Sequence, residues 1–363
     1  MKILYVIGSR LLSGAEDHLL DMAVWFREQD VETVFLLRKE SQLEARLTEL
    51  GIRSYPVFVP GRKAGLVLRI ALAIRVEQPD VISINREHNI FPTCLGLFLI
   101  RPLIRKRPKL AAVFHTPTGR RYPGLGCFDG VIGTSEYTAD TFVTSNPAIR
   151  DKTVVIHYGI RVPEVDPTAK LTPDRPRRFF QGRKFPIIGM AGELWKNQEE
   201  LVEAAHFLVK EFPEMTIAFI GGYEGQEPLQ EKINAAGLSK NFLLTGRIPR
   251  DRMADAFFDL DLSVSTHRNE GFGIVHIESL AMYTPVVAYH SGGLVEILRK
   301  GGGVLVDGGT REFADTILAL LKDDGRRFAL GREGYRVVEE HFSIDAMGCR
   351  HLEFYQQMLD RSR

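Results

Sequence analysis

Two glutamates, Glu270 and Glu278, stand eight residues apart in the stretch THRNEGFGIVHIESLAMYTPVVAY, with Gly271-Phe272-Gly273 between them. An apolar strand-like run precedes them and helical spacing follows, so the stretch reads as strand, loop and helix. Glu270 then lies in the loop, and Glu278 about one turn inside the helix. Gly271, Phe272, Gly273 and Ile274 place backbone N–H groups at a helix start, where the dipole favours an anion. A loop carboxylate beside them accepts from sugar hydroxyls, and a helical one can take a ribose diol. Two carboxylates would repel a bare diphosphate unless each had hydroxyl partners, so the pattern fits a nucleotide sugar better than free phosphate. A plain strand-to-helix turn with two solvated acids is the competing reading.

Other strand-end turns carry matching groups. GMAGELWKNQEELVEA sets Gly192, Glu193 and Lys196 between a strand and a helix. A lysine there would offset charge on a leaving diphosphate, although most lysines are merely solvated. FIGG and LLTGRIP follow with Gly221-Gly222, Arg247 and Ile248, in turns that allow close backbone approach to a flat or anionic ligand. Nearer the N-terminus, Ser13-Gly14 precede a helix start that could face a phosphate. VFHTPTGRR puts His115 at a strand end, as a packed histidine or as a polar contact to a reacting group. Ser135, in GTSEYTAD, serves equally as a helix N-cap.

The elements that must position these residues repeat in two halves. The first half shows the apolar runs KILYVIG, VETVFLL, DVISIN, LAAVFHT, GVIGTS and TVVIHYG. The second shows FPIIGMAG, MTIAFIGG, NFLLTG, LDLSVST, PVVAYH and GVLVD. Such runs, alternating with amphipathic segments such as Asn197 to Phe212, predict parallel sheets covered on both faces. The fold class is therefore α/β, with two doubly wound domains facing a cleft. The segment from Arg161 to Lys184, rich in Pro and charge, reads as a linker. The expected division is 1–165, a linker at 166–184, a second domain at 185–342, and a C-terminal helix at 343–363 capped by Ser343.

Bulk composition narrows the function classes. The 363 residues hold 47 Lys and Arg against 46 Asp and Glu, a balance that gives no attraction to nucleic acid. Cys94, Cys127 and Cys349 show neither disulfide nor zinc spacing and suit a reducing compartment. No apolar run approaches the ~18 residues of a membrane span, and the N-terminal run is too short for a signal peptide. A cytoplasmic protein is expected, with no metal.

The motif E-G-F-G-x-x-x-x-E, followed by PVVAYHSGGLVEIL, resembles the signature of the family 4 (group 1) retaining glycosyltransferases. The likeness runs nearly the full length, through the Ser-Gly-Ala-Glu loop, VFHT, GTSE, FIGG, LTGRIP and the terminal FSID helix. It implies the GT-B fold, two Rossmann-like domains with the donor held mainly by the second, and transfer from a UDP-, GDP- or ADP-sugar. By resemblance, Glu270 meets the transferred sugar, Glu278 the ribose and Lys196 the diphosphate. His115 and Ser135 match polar positions lining the reaction centre, Gly14 a loop closing on the phosphates, and Arg247-Ile248 the edge of the nucleobase.

Several positions depart from the pattern. Glu193 stands where many members carry Arg, and Ser13-Gly14 replace a Gly-Gly pair. Tyr158-Gly159-Ile160-Arg161 replace Asn-Gly-x-Asp, and Ser265-Thr266 replace Pro-Ser. The acceptor is expected at first-domain loops near Arg10, Arg86 to Asn89 and Thr118 to Tyr122, where Arg120-Arg121 fit an anionic or lipid-linked molecule. FPTCLGLFLIRPLIRKRPK, apolar beside five cations, suits either an anionic membrane surface or a core helix with a basic end. A nucleotide-sugar epimerase and a non-catalytic sugar-nucleotide-binding protein are the competing functions.

Overall fold

A computed structural model describes residues 1–9, 14–59, 65–122, 124–172, 175, 177–222 and 226–361. The chain divides into two compact units, one of Met1–Arg161 with the segment from Ser343 onward, the other of Val162–Phe342.

The first unit is built on seven parallel strands: β1 (Lys2–Val6), β2 (Glu32–Arg38), β3 (Ser54–Phe58), β4 (Val81–Ile84), β5 (Lys109–Phe114), β6 (Gly130–Gly133) and β7 (Thr153–Val155). Their order is β3-β2-β1-β4-β5-β6-β7. The second unit has six, β8 (Ile187–Ala191), β9 (Thr216–Ile220), β10 (Phe242–Leu244), β11 (Leu262–Ser265), β12 (Val286–Tyr289) and β13 (Gly303–Val306). They run parallel in the order β10-β9-β8-β11-β12-β13. All residues of β8, β9, β11 and β12 are buried, as strands covered on both faces require. The helix Gln198–Glu211 buries Leu201, Val202, Ala204, Ala205 and Leu208, and turns Glu199, Glu203, Lys210 and Glu211 outward. Each buried Leu or Ile of this kind contributes roughly 1.5–3 kcal/mol.

Each sheet reverses its direction of growth once, between β1 and β4 in the first unit and between β8 and β11 in the second. Loops diverge at such a point and leave a crevice at the carboxyl ends of the strands, where ligands of open α/β sheets bind. The loops after β8 and β11 hold Lys196 and Glu270.

Two features differ from expectation. Strand β3, SYPVF, is absent from the apolar runs above because Pro56 interrupts its pattern; it survives as an edge strand, where Pro is tolerated. The segment read as a linker, Arg161 to Lys184, is in its described part built into the second unit from Val162 onward. Lys170 donates to the carbonyls of Phe258 and Leu260 at 2.6 and 2.5 Å, and Arg175 pairs with Asp261 at 2.7 Å. The Asp259 carboxylate accepts the backbone N–H groups of Arg178, Phe179 and Phe180. Burial pushes the Lys170 ammonium well below its ordinary value. Charge that reads as solvated in the sequence is here matched to buried carbonyls and carboxylates.

The C-terminal helix Ile344–Asp360 belongs to the first unit. Ser343 caps it by accepting from Ala346 N, and Ile344 N donates to Ile160 O at 2.7 Å. Trp25 Nε1 donates to Asp345 at 2.7 Å, and Tyr355 reaches Ser83 at 3.2 Å.

Candidate functional site

The chain leaves β8 through Gly192, whose φ of +135° suits glycine, and Lys196 folds back so that a Cβ at Gly192 would lie 3.1 Å from its Cδ. Lys196 Nζ reaches Glu270 Oε2 at 2.7 Å, with side chains only 15% and 12% exposed. Burial alone would raise the Glu270 carboxyl. Lys196, by charge and hydrogen bond, outweighs that and holds it below the ordinary carboxylate range, with smaller help from His276 and His267. The pair is therefore a preformed, ionised group at the switch point of the second sheet.

Three neighbours shape it. His276, on the helix Ile274–Leu280, is buried beside Gly273 and lies 3.3 Å from Ser263 Oγ through Nδ1. Burial brings its pKa down to about 4, so the ring is neutral beside the pair at neutral pH. His267 stands edge-on to the exposed Trp195, 5.1 Å between ring centres. Lys196 Nζ lies 5.7 Å from the centre of the same indole.

The loop carrying Glu270 rests on a glycine pair. Gly293 N donates to Glu270 O at 2.8 Å. A Cβ on Gly293 would fall 2.2 Å from Gly271 O, and one on Gly292 would fall 2.7 Å from Glu270 O. Gly-Gly in HSGGLVEIL is thus the floor on which Glu270 sits.

Glu200, on the helix Gln198–Glu211, braces both loops. Its carboxylate accepts from both Arg268 end nitrogens at 2.6 and 2.9 Å, from the Tyr289 hydroxyl at 2.5 Å, from Asn197 Nδ2 at 2.6 Å and from Thr310 at 3.2 Å. Desolvation opposes its charge, yet these donors hold its carboxyl below the usual range. Asn197 follows Lys196, and Arg268 stands two residues before Glu270. Glu200 and His276 escaped the sequence reading: the first looks like one acid in a solvated helical run, the second like a core residue.

The remaining second-unit candidates lie on the segments that follow β8, β9, β10 and β11. Glu193 is exposed, and its carbonyl accepts from Gln198 Nε2 at 2.6 Å. Gly222 lies two residues beyond the end of β9, and a Cβ there would lie 2.5 Å from the Leu194 side chain. Arg247 is exposed after β10, whereas Ile248 is buried in the core. Gly271 and Gly273 are buried in the turn, and Phe272 packs edge-on against Phe342, 5.6 Å between ring centres. Ile274 opens the short helix, and Glu278 lies half-buried within it.

In the first unit, Glu16 and Arg86 meet at the switch point between β1 and β4, and His115 and Ser135 follow β5 and β6. Glu16, buried on the helix Gly14–Glu28, pairs with Arg86 at 2.5 Å and accepts from Ser9 Oγ. His115 follows β5, and its Nδ1 is hydrogen-bonded to the Tyr158 hydroxyl. Burial, then the Arg86 guanidinium, bring His115 down to about 4, while Glu16 and the Asn85 backbone oppose them. His115 is therefore neutral at neutral pH. Tyr158, where the resemblance expects Asn, is its partner. Ser135 is buried as the N-cap of the helix Glu136–Ser145, accepting from Thr138 N at 2.9 Å. Asn146 holds the loop Thr118 to Tyr122 by accepting from Tyr122 N and donating to Arg120 O, both at 2.8 Å. Arg120 and Arg121 are exposed, Asn89 is buried, and Gly14 is the first residue of its helix. Arg10 and Ser13 lie outside the described residues.

Residues 175–337 match the family described as Glycosyl transferases group 1, and residues 12–162 match Glycosyltransferase Family 4. The D-inositol 3-phosphate glycosyltransferase of Xylanimonas cellulosilytica is 30% identical over 245 residues, 64% of this chain and 58% of that protein. The chain spans only about half the length of the first relatives of this kind. The lipopolysaccharide core biosynthesis mannosyltransferase LpsB of Rhizobium meliloti is 27% identical over 281 residues, 73% of this chain and 77% of that protein. Among solved structures, Anabaena HepE in complex with UDP and glucose aligns with a TM-score of 0.80 at 21% identity, covering 97% of this chain and 98% of that one. A glycosyltransferase from Rickettsia africae gives 0.81 at 20% identity, covering 99% and 98%. At such identities the likeness shows the fold, the paired Rossmann-like units of GT-B.

Proposed function

The chain belongs to the family 4, group 1 glycosyltransferases, and on that premise we propose that it moves a sugar from a nucleotide-diphosphate sugar to a hydroxyl of a glycan, lipid-linked or small-molecule acceptor. The anomeric configuration is retained and no metal takes part. The setting is the cytoplasmic side of the cell, in the synthesis of a bacterial surface polysaccharide or glycolipid. The observation that carries this reading is the enclosed Lys196–Glu270 pair at the switch point of the second sheet. A donor diphosphate competes with Glu270 for Lys196. The released carboxylate then takes sugar hydroxyls and offsets positive charge near the anomeric carbon, while Glu278 takes the ribose and the Gly271 to Ile274 turn faces the phosphates.

Retention by double displacement needs a carboxylate on the sugar face opposite the leaving group, and no residue is assigned there. In the same-face route, the bond from the anomeric carbon to the diphosphate oxygen breaks as the acceptor oxygen bonds on that face. The acceptor proton passes to the departing diphosphate. Lys196 offsets the charge growing on the phosphate oxygens, a role whose loss typically costs ~100-fold or more in rate. His115, neutral and oriented by Tyr158, is assigned to the acceptor.

The test follows anomeric signals by NMR with UDP-, GDP- and ADP-sugars and a panel of glycan and lipid-linked acceptors. A product with the donor's configuration is expected, reduced at least ~100-fold in Lys196→Ala and in Glu270→Ala. Isomerised nucleotide sugar without transfer would make the chain an epimerase, and donor binding without turnover a binding protein.

A further inference from the structure

Two neighbouring helices of the first unit are too apolar for two-faced elements. Leu66–Glu77 reads LVLRIALAIRVE and Ile90–Ile100 reads IFPTCLGLFLI. Their inner faces are accounted for, because Ile70, Ala71, Ala73 and Ile74 of one and Thr93, Gly96, Leu97 and Ile100 of the other are buried. The helices meet at Gly96, where a Cβ would lie 3.1 Å from Val67 O. What remains faces out. Leu68, Leu72 and Val76 recur every fourth residue, Phe91 and Phe98 stand seven apart, and Leu99 and Leu103 follow; all are between 48% and 72% exposed. Among the described residues, only two other large hydrophobics, Phe185 and Trp195, are exposed. Apolar exposure is therefore concentrated on one face, which marks an interaction surface.

Charge identifies the partner. Arg75, Arg101, Arg105, Lys106 and Arg107 are exposed on these helices or directly after them. No Asp or Glu occurs from Leu66 to Val76 or from His88 to Lys109. Arg107 lies 3.8 Å from Asp129, but among the described residues Arg75, Arg101, Arg105 and Lys106 form no ion pair, and a two-fold dimer through this face would set these cations toward those of its own copy. A bilayer with anionic headgroups satisfies both halves of the surface. Its interface accepts Phe and Leu side chains to a depth of roughly 5–10 Å, and its negative potential attracts the cations. No helix among the described residues is long and apolar enough to cross the membrane. We infer that this face seats the protein on an anionic lipid surface through Leu72, Val76, Phe91 and Phe98, with Arg101, Arg105 and Lys106 at the headgroups. The inference does not rest on sugar transfer, since it needs no donor.

Co-sedimentation with phosphatidylcholine vesicles, with and without phosphatidylglycerol, tests it on the full chain at low and high salt. Binding is expected with phosphatidylglycerol and should weaken as salt rises. Each cation near an anionic surface is worth ~5-fold, so Arg105→Gln/Lys106→Gln should lower the partition coefficient ~30-fold. Phe91→Ser/Phe98→Ser should abolish binding while leaving the thermal midpoint unchanged, because both rings are exposed. Absence of binding to phosphatidylglycerol vesicles at low salt would overturn the inference, as would unchanged binding by the Phe variant. A dimer in solution that the Phe variant dissociates, without vesicle binding, would assign the face to a second copy instead. Loss of vesicle binding leaves donor binding untouched, so failure here and failure of the sugar-transfer reading are separable.

Discussion

Replacing Lys196 by methionine keeps most of the apolar stem and removes the charge that Glu270 faces at 2.7 Å. Breaking a fully buried ion pair by deleting one partner costs about 3–5 kcal/mol, whereas a surface pair is worth about 0–1. With side chains 15% and 12% exposed, this pair sits nearer the buried limit, and we expect a loss of about 2–3 kcal/mol at pH 7. In the parent protein Glu270 titrates below its ordinary value. Its pairing therefore stabilises the fold above the unfolded carboxyl value of about 4.3, and that contribution is lost as pH falls through the depressed folded value. In the variant burial acts alone, Glu270 titrates above about 4.3, and charging it costs stability at neutral pH. The gap between the two proteins is thus widest near pH 7 and narrows toward pH 4. The double variant Lys196→Met/Glu270→Gln should recover part of the loss, because no uncompensated carboxylate remains. Urea denaturation followed by circular dichroism at both pH values reads each quantity. A single variant within about 0.5 kcal/mol of the parent at pH 7 would show a solvated pair, and a pH-independent gap would show that Glu270 is not the group involved.

The glycine floor predicts that Gly293→Ala, whose Cβ would fall 2.2 Å from Gly271 O, displaces the Glu270 loop. A misplacement of about 1 Å costs about 100-fold in turnover, measured as transfer rate with the fold checked by circular dichroism. Glu200→Leu leaves Arg268, Asn197 and Tyr289 without their shared acceptor. Amide exchange across 267–270 should accelerate by at least ~10-fold, equivalent to about 1.4 kcal/mol of local stability. Burial lowers His115, His276 and His351 each to about 4. Their folded values lie below the unfolded value of about 6.5, so stability is unaffected above that pH. It falls as pH drops toward 4, by up to about 1.4 kcal/mol per unit per histidine, and urea midpoints at pH 7, 6 and 5 show the slope.

Much of the architecture is legible in the sequence because strands buried on both faces must be continuously apolar. Twelve of the strands follow such runs, and the one that does not, β3, is an edge strand interrupted by Pro56. The segment around Lys170, Arg175 and Asp259 misleads for the opposite reason. Its charges are buried against carbonyls and carboxylates contributed from residues some eighty positions away, and composition holds no trace of that pairing. At the site, glycine turns and carboxylate spacing single out Lys196 and Glu270, but their direct contact depends on β8 and β11 being neighbours in the sheet. Glu200 stays hidden because three of its partners, Arg268, Tyr289 and Thr310, lie on distant segments that only the fold assembles.

The most direct measurement is the thermal midpoint of the chain with UDP-, GDP- and ADP-sugars, for the parent protein and for Lys196→Ala. A ligand bound to the folded state alone at one hundred times its Kd stabilises by about 2.7 kcal/mol, ample for a clear upward shift. Such a shift is expected with at least one donor, together with its loss in Lys196→Ala. No shift with any donor, or one that survives the loss of Lys196 unchanged, would contradict the assignment of this pair as the donor site.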